Sequence, residues 1–133
     1  MTQATIQQRE TKYCRAIKNA LQTKGHATNV ELLSLLRKSF PDVSVTTIHR
    51  ATTRLAARHE IGLAPAAQYG SMRYDANTTP HDHFLCSSCF ILTDTDVKNK
   101  LIPILEESIG GCSISGQLTI SGICKQCKIK GVE

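Results

Sequence analysis

Residues 28–36, Thr28-Asn29-Val30-Glu31-Leu32-Leu33-Ser34-Leu35-Leu36, and residues 40–50, Phe40-Pro41-Asp42-Val43-Ser44-Val45-Thr46-Thr47-Ile48-His49-Arg50, spell two helices with a sharp turn between them. Thr28 and Glu31 have capping-box spacing, in which the hydroxyl takes the amide three residues on and the carboxylate reaches back to the Thr28 amide. Leu32, Leu33, Leu35 and Leu36 supply the apolar stripe, and Phe40-Pro41-Asp42 ends the element because proline disfavours helical geometry in the residue before it. Ser44 then caps a further helix whose inward face is Ile48, Ala51 and Leu55.

Upstream, Cys14, Ile17 and Leu21 recur at i, i+3 and i+7 and predict a first helix that ends near Lys24-Gly25. Downstream, residues 61–74 (IGLAPAAQYGSMRY) predict two short strands around Tyr69-Gly70, with Pro65 tolerable on an edge. Three helices and a two-stranded ribbon make a winged helix-turn-helix over residues 1–75. The polar run 76–80, ANTTP, predicts a hinge. Residues 81–133 predict a smaller α/β lobe, so the chain as a whole is α+β. Phe84-Leu85 and Phe90-Ile91-Leu92 are strand-like. Residues 97–109 form an amphipathic helix that tolerates Pro103 only in its first turn or at a kink. Ile114, Leu118 and Ile120 alternate with Ser and Thr in a half-buried strand over 112–123, and the chain closes on a lysine-rich tail, KIKGVE.

Charge separates the two parts. Residues 1–75 hold eleven Lys/Arg against five Asp/Glu, while residues 76–133 hold five against six. The basic part is the candidate for phosphate contacts. On its third helix the outward face carries Thr46, Thr47, His49, Arg50, Thr53 and Arg54 with no acid among them. An ordinary solvated face interleaves acids with bases, whereas hydroxyls and guanidinia suit a DNA groove.

At 133 residues with 41% apolar content, the chain can bury one modest core, or two small lobes if a cross-link helps. No stretch is apolar enough to span a membrane and the opening MTQATIQQRE is no signal peptide, which predicts a cytoplasmic protein. In a reducing compartment the pairs Cys86/Cys89 and Cys124/Cys127 favour a tetrahedral zinc site, with a disulfide or iron–sulfur use as the alternative. Cys14 fits a core position, and Cys112 is either buried or reactive. His81 and His83 beside carboxylates suit a harder, exchangeable ion. A metal hydrolase would need an open coordination position, a general base and a substrate pocket, and no such motif stands out, so neither catalysis nor a small-molecule substrate is expected. A zinc module without DNA binding would leave the basic part unexplained.

The run His81-Asp82-His83-Phe84-Leu85-Cys86-Ser87-Ser88-Cys89, the later Gly122-Ile123-Cys124-Lys125-Gln126-Cys127, and the segments Lys24-Gly25-His26-Ala27-Thr28 and 40–48 together resemble the ferric uptake regulator (Fur) family of metal-dependent bacterial transcription factors. The resemblance implies a homodimer formed by the second lobe, whose winged helices read a palindromic operator in double-stranded DNA. It implies structural Zn2+ on Cys86, Cys89, Cys124 and Cys127. It places a regulatory Fe2+ or Mn2+ on His26, Asp75, His81, His83 and Asp94, a mixed N/O donor set for which zinc competes. Ser44, Thr46, Thr47, His49, Arg50 and Arg54 fall at the DNA.

Asp at both 75 and 94 is similar to the peroxide-sensing (PerR) branch of the family, in which bound Fe(II) reacts with hydrogen peroxide and a ligand histidine is oxidised, here His26 or His81. The alternative is an iron-responsive repressor of the Fur type. That type more often has Glu at these places and uses a further site, two of whose positions are here Pro80 and Gly116. Zinc sensors commonly place a Cys near the hinge, and this hinge has none. Three departures stand out: Phe90 replaces a glycine after the first cysteine pair, His49 replaces a tyrosine, and the family's leading helix is reduced or absent.

Overall fold

The computed structural model describes residues 11–131, and the expectation about a leading helix lies outside them. Two compact units are present, one ending at Thr78 and one beginning at Thr79.

The first unit is built from α1 (Lys12–Lys24), β1 (His26–Thr28), α2 (Asn29–Leu36), α3 (Val45–Ala57), β2 (Gly62–Ala64) and β3 (Arg73–Asp75). The caps fall where the sequence places them. Thr28 Oγ1 accepts from the Glu31 amide while Glu31 Oε1 accepts from the Thr28 amide at 2.9 Å, and Ser44 Oγ accepts from the Thr47 amide at 3.1 Å. Cys14, Ile17 and Leu21 of α1, Leu32 and Leu36 of α2, and Ile48, Ala51 and Leu55 of α3 meet in one buried cluster, closed by Ala27, Val43, Ile61 and Tyr74. The helical periods therefore converge on a single core.

The ribbon differs from expectation in having a third strand. The sheet order is β1-β3-β2, antiparallel throughout, with His26 opposite Asp75 and Gly62 on the other side of the same Asp75. Three residues that follow a glycine and end on the capping threonine carry no period, so β1 is invisible to pattern. Asp75 thus belongs to a strand. Between β2 and β3 the chain makes a 3₁₀ turn over Gln68–Gly70 with Tyr69 at φ +62° and almost wholly exposed.

The second unit holds β4 (Asp82–Cys86), β5 (Leu92–Thr95), α4 (Val97–Ser108), β6 (Thr119–Gly122) and α5 (Lys125–Ile129). The sheet order is β5-β4-β6, with β5 antiparallel and β6 parallel to β4. Two expectations are corrected, and one of the two places open to Pro103 is excluded. Residues 90–91 are not strand, because Phe90 sits at φ +63° with its amide on the Cys86 carbonyl, closing the turn of the first cysteine pair. The strand read over 112–123 shrinks to β6, since only 119–122 find a partner in β4. Pro103 lies in the interior of α4, not in its first turn. Part of the lysine-rich tail is helical, as α5 runs to Ile129. No helix among the described residues is long and apolar enough to cross a membrane.

Candidate metal centre and nucleic-acid interface

Four thiols from two turns converge in the second unit. The strand β4 ends on Cys86, its turn carries Cys89, and Cys124 and Cys127 stand at the start of α5. Their sulfurs all lie within 4.8 Å of one another, with Cys86 to Cys127 at 3.9 Å and Cys89 to Cys124 at 3.7 Å. A disulfide needs about 2.05 Å. Four sulfurs at about 2.3 Å from one tetrahedral zinc would stand about 3.8 Å apart, so the donor set fits that ion. The Cys86 sulfur accepts the amide N–H of Cys89 and that of Cys124, each at 3.4 Å, and these bonds hold its pKa down at about 6. Burial pushes Cys127 up to about 11. One ligand is therefore ready as a thiolate at neutral pH, while the other must release a proton as an ion binds.

Each unit also carries its own set of imidazole and carboxylate donors. In the first, β1 and β3 set His26 Nε2 3.5 Å from Asp75 Oδ2, and the other Asp75 oxygen accepts the Asn77 amide at 2.9 Å. In the second, β4 and β5 pair His83 with Asp94. Both His81 Nε2 and His83 Nε2 lie 3.3 Å from Asp94 Oδ1. His81 Nδ1 stands 2.7 Å from the Thr79 carbonyl. A carbonyl only accepts, so Nδ1 is the donor to it, and Nε2 is the nitrogen turned to Asp94. Imidazole nitrogens and carboxylate oxygens held this way suit Fe(II), Mn(II) or Zn(II).

Asp82 has a role that pattern did not show. It is 4% exposed, and its two oxygens accept the amides of Lys98 at 3.2 Å and Leu118 at 2.9 Å. It ties β4 to the start of α4 and to the approach of β6. Its setting beside His81 and His83 in sequence resembles a ligand, whereas two backbone bonds make it a structural clamp.

On α3, Thr46, His49, Arg50, Thr53 and Arg54 are exposed and Thr47 is half-buried, while Thr52 turns inward and donates to the Ile48 carbonyl at 3.1 Å. Ser44 Oγ, besides capping α3, donates to Thr47 Oγ1 at 3.0 Å. Cys14 lies in the core. Cys112 is exposed in the segment between α4 and β6.

Known proteins place this arrangement. The model of the ferric uptake regulator family matches residues 5–109. The peroxide-responsive repressor PerR of Staphylococcus epidermidis is 29% identical over 115 residues, covering 84% of this chain and 75% of its own. Among solved structures, the Helicobacter pylori ferric uptake regulator Fur, which has three functional metal binding sites, superposes with a TM-score of 0.74 at 18% identity over 96% of this chain and 87% of its own. The Campylobacter jejuni peroxide stress regulator does so with a TM-score of 0.67 at 22% identity, over 86% and 88%. The winged helix, the cysteine turns and the family match agree: the chain belongs to the ferric uptake regulator family of metal-responsive transcription regulators.

Proposed function

We propose that this chain is a PerR-like repressor, a homodimer that binds a palindromic operator in double-stranded DNA when a regulatory Fe2+ or Mn2+ is bound and releases it on meeting peroxide. The observation that carries this reading is the pair of half-sites: His26 on Asp75 in the first unit, and His81 and His83 on Asp94 in the second. Neither half offers enough donors for a tight site, so one ion satisfied by all five joins the units. Binding then favours the arrangement in which the winged helices meet successive major-groove segments. The four cysteines hold structural Zn2+, whose removal costs the fold rather than the signal.

His26 and His81 are the residues expected to be oxidised. A bound Fe(II) would supply the activation of hydrogen peroxide, and His26 and His81 would present the imidazole C–H that takes up one peroxide oxygen while the other oxygen leaves as water. The oxidised ring is a poorer donor, and the link between units loosens. Asp at 75 and 94, together with the likeness to PerR, supports this over an iron-responsive signal.

Protein purified without oxygen, analysed for metal and reloaded with Fe, Mn or Zn, is tested for promoter binding before and after micromolar peroxide. One added oxygen on His26 or His81 by mass spectrometry, in step with DNA release in the iron form and not the manganese form, is expected. Release only on iron withdrawal, with both histidines unmodified, makes the protein an iron-responsive repressor instead.

A further inference from the structure

Beside the outward face of α3 lies a cleft of about 200 Å3 between α3 and the start of α1, lined by Thr11, Tyr13, Thr47, Arg50 and Arg54 and closed by the buried Cys14 and Ala51. It is smaller than the roughly 300–1,000 Å3 that drug-sized ligands occupy. Every polar side chain that lines it is a hydroxyl or a guanidinium. Neither the Arg50 nor the Arg54 guanidinium has an ion pair or hydrogen bond among the described residues. Such a combination has one natural complement, a small oxyanion with several acceptor oxygens.

The helix geometry fixes who faces the cleft. Thr47, Arg50, Ala51 and Arg54 follow at i, i+3, i+4 and i+7, one stripe of α3 turned toward α1. Thr46, His49 and Thr53 lie on the neighbouring stripe and are exposed. The Tyr13 ring, at the mouth of α1, is braced edge-on against Phe40 at 5.2 Å and under the Lys12 ammonium, so the cleft wall is stiff.

We propose that this cleft seats one phosphate group between Arg50 and Arg54, with Thr11, Tyr13 and Thr47 as hydroxyl partners, so that Arg50 clamps the backbone and base reading falls to Thr46 and His49. The proposal rests on the DNA-binding reading for the source of the phosphate, which is the duplex backbone. A free phosphate or a phosphorylated metabolite has the same chemistry, and would compete there with DNA.

The metal-loaded full chain is presented with a random duplex pool, and the sequences it enriches are used to compare wild type with Arg50→Ala and Arg54→Ala. Each variant should weaken every enriched duplex alike, roughly tenfold at 0.1 M salt, and flatten the slope of log affinity on log salt by about 0.9, while enriching the same motif. Loss of preference at one base pair in Arg50→Ala with an unchanged slope makes Arg50 a base reader and overturns the clamp; so does unchanged affinity in both variants. In parallel, inorganic phosphate is titrated into DNA-free protein against chloride at matched ionic strength, following the Nε–H signals of the two arginines. Signals that move with phosphate add the free ion as a ligand; signals that stay leave the duplex as the source. If wild type binds no duplex in any metal state, the DNA-binding reading fails, and the phosphate titration alone upholds or overturns the cleft.

Discussion

His59 holds the end of α3 in a backbone conformation that costs an L-residue energy. Its φ is +60°, its amide bonds the Ala56 carbonyl and the next amide, of Glu60, bonds the Leu55 carbonyl, each at 3.0 Å. That is the double closure of a Schellman motif, whose left-handed position glycine fills without penalty. Among the described residues the exposed imidazole has no hydrogen bond or ion pair to offset the roughly 1–2 kcal/mol. His59→Gly is therefore expected to raise the unfolding free energy of the first unit by about 1 kcal/mol in a urea titration, and a neutral or destabilising result would mean that the imidazole holds the turn. Phe90 shows the same conflict at φ +63°: a glycine position in the family keeps its geometry with a ring on it, so the amides around Cys86 survive the substitution. Neither position is legible in sequence, because local preference argues against a left-handed His or Phe and only the surrounding bonds enforce it. Thr28 and Ser44 are legible because their preference and their place agree.

At the scale of elements, two polar clamps set how α2 and the second sheet are held. Thr28→Ala removes the hydroxyl half of the α2 capping box and should cost about 0.5–2 kcal/mol. Glu31 adds a pH dependence. Burial by itself would raise its pKa, but the Thr28 amide, then the charge of Lys24, lower it below the ordinary carboxylate value. A depressed folded pKa contributes stability above the unfolded value near 4.3, which is lost as pH falls through the folded one. Acid unfolding of Glu31→Gln should therefore flatten below about pH 4.5 relative to wild type. In the second unit, Asp82→Ala strips two backbone amides of their charged acceptor, a loss of about 1.5–3 kcal/mol seen as a lower melting temperature with zinc still bound. The elements that periodicity revealed are those with a long apolar face, α1, α2 and α3. Those it missed or overran, β1 and β6, take their length from a partner strand: His26 is strand because Asp75 lies opposite, and residues 112–118 are not because β4 ends its pairing at Thr119. The five candidate ligands of the regulatory site came through the family resemblance, since no period marks them.

In the whole molecule the two units differ in what keeps them folded. The first has an apolar cluster running through three helices and the sheet, with Ile17, Leu21, Leu32, Ile48 and Leu55 at 0% exposure. Among the described residues, the buried apolar ones of the second are Leu92 and two of the cysteines, Cys86 and Cys127. Its helix α4 has no fully buried residue, only half-buried ones such as Ile102 and Leu105, and leaves Leu101 at 38% and Ile104 at 65% exposure, with Ile109 just beyond it at 51%. So small a core does not stabilise a lobe by itself, and a bound metal and a partner subunit are the remaining sources of free energy. Ile104→Lys should accordingly yield a monomer in sedimentation with zinc retained; a persistent dimer would place the interface elsewhere. Removing zinc is the sharper case. With a chelator and a reductant present, four cysteines lose the ion that closes their two turns, β4 and α5 part, and the second unit should lose its structure at a temperature where the first keeps its own. Amide exchange would then show fast exchange in β4, β5 and β6 and protection still high in α1 and α3. Cys86→Ser should reproduce that pattern without a chelator and contain close to no tightly bound zinc. Protection lost in both units together would show that the lobes fold as one, and protection retained in both would show that the cysteines are not what supports the second.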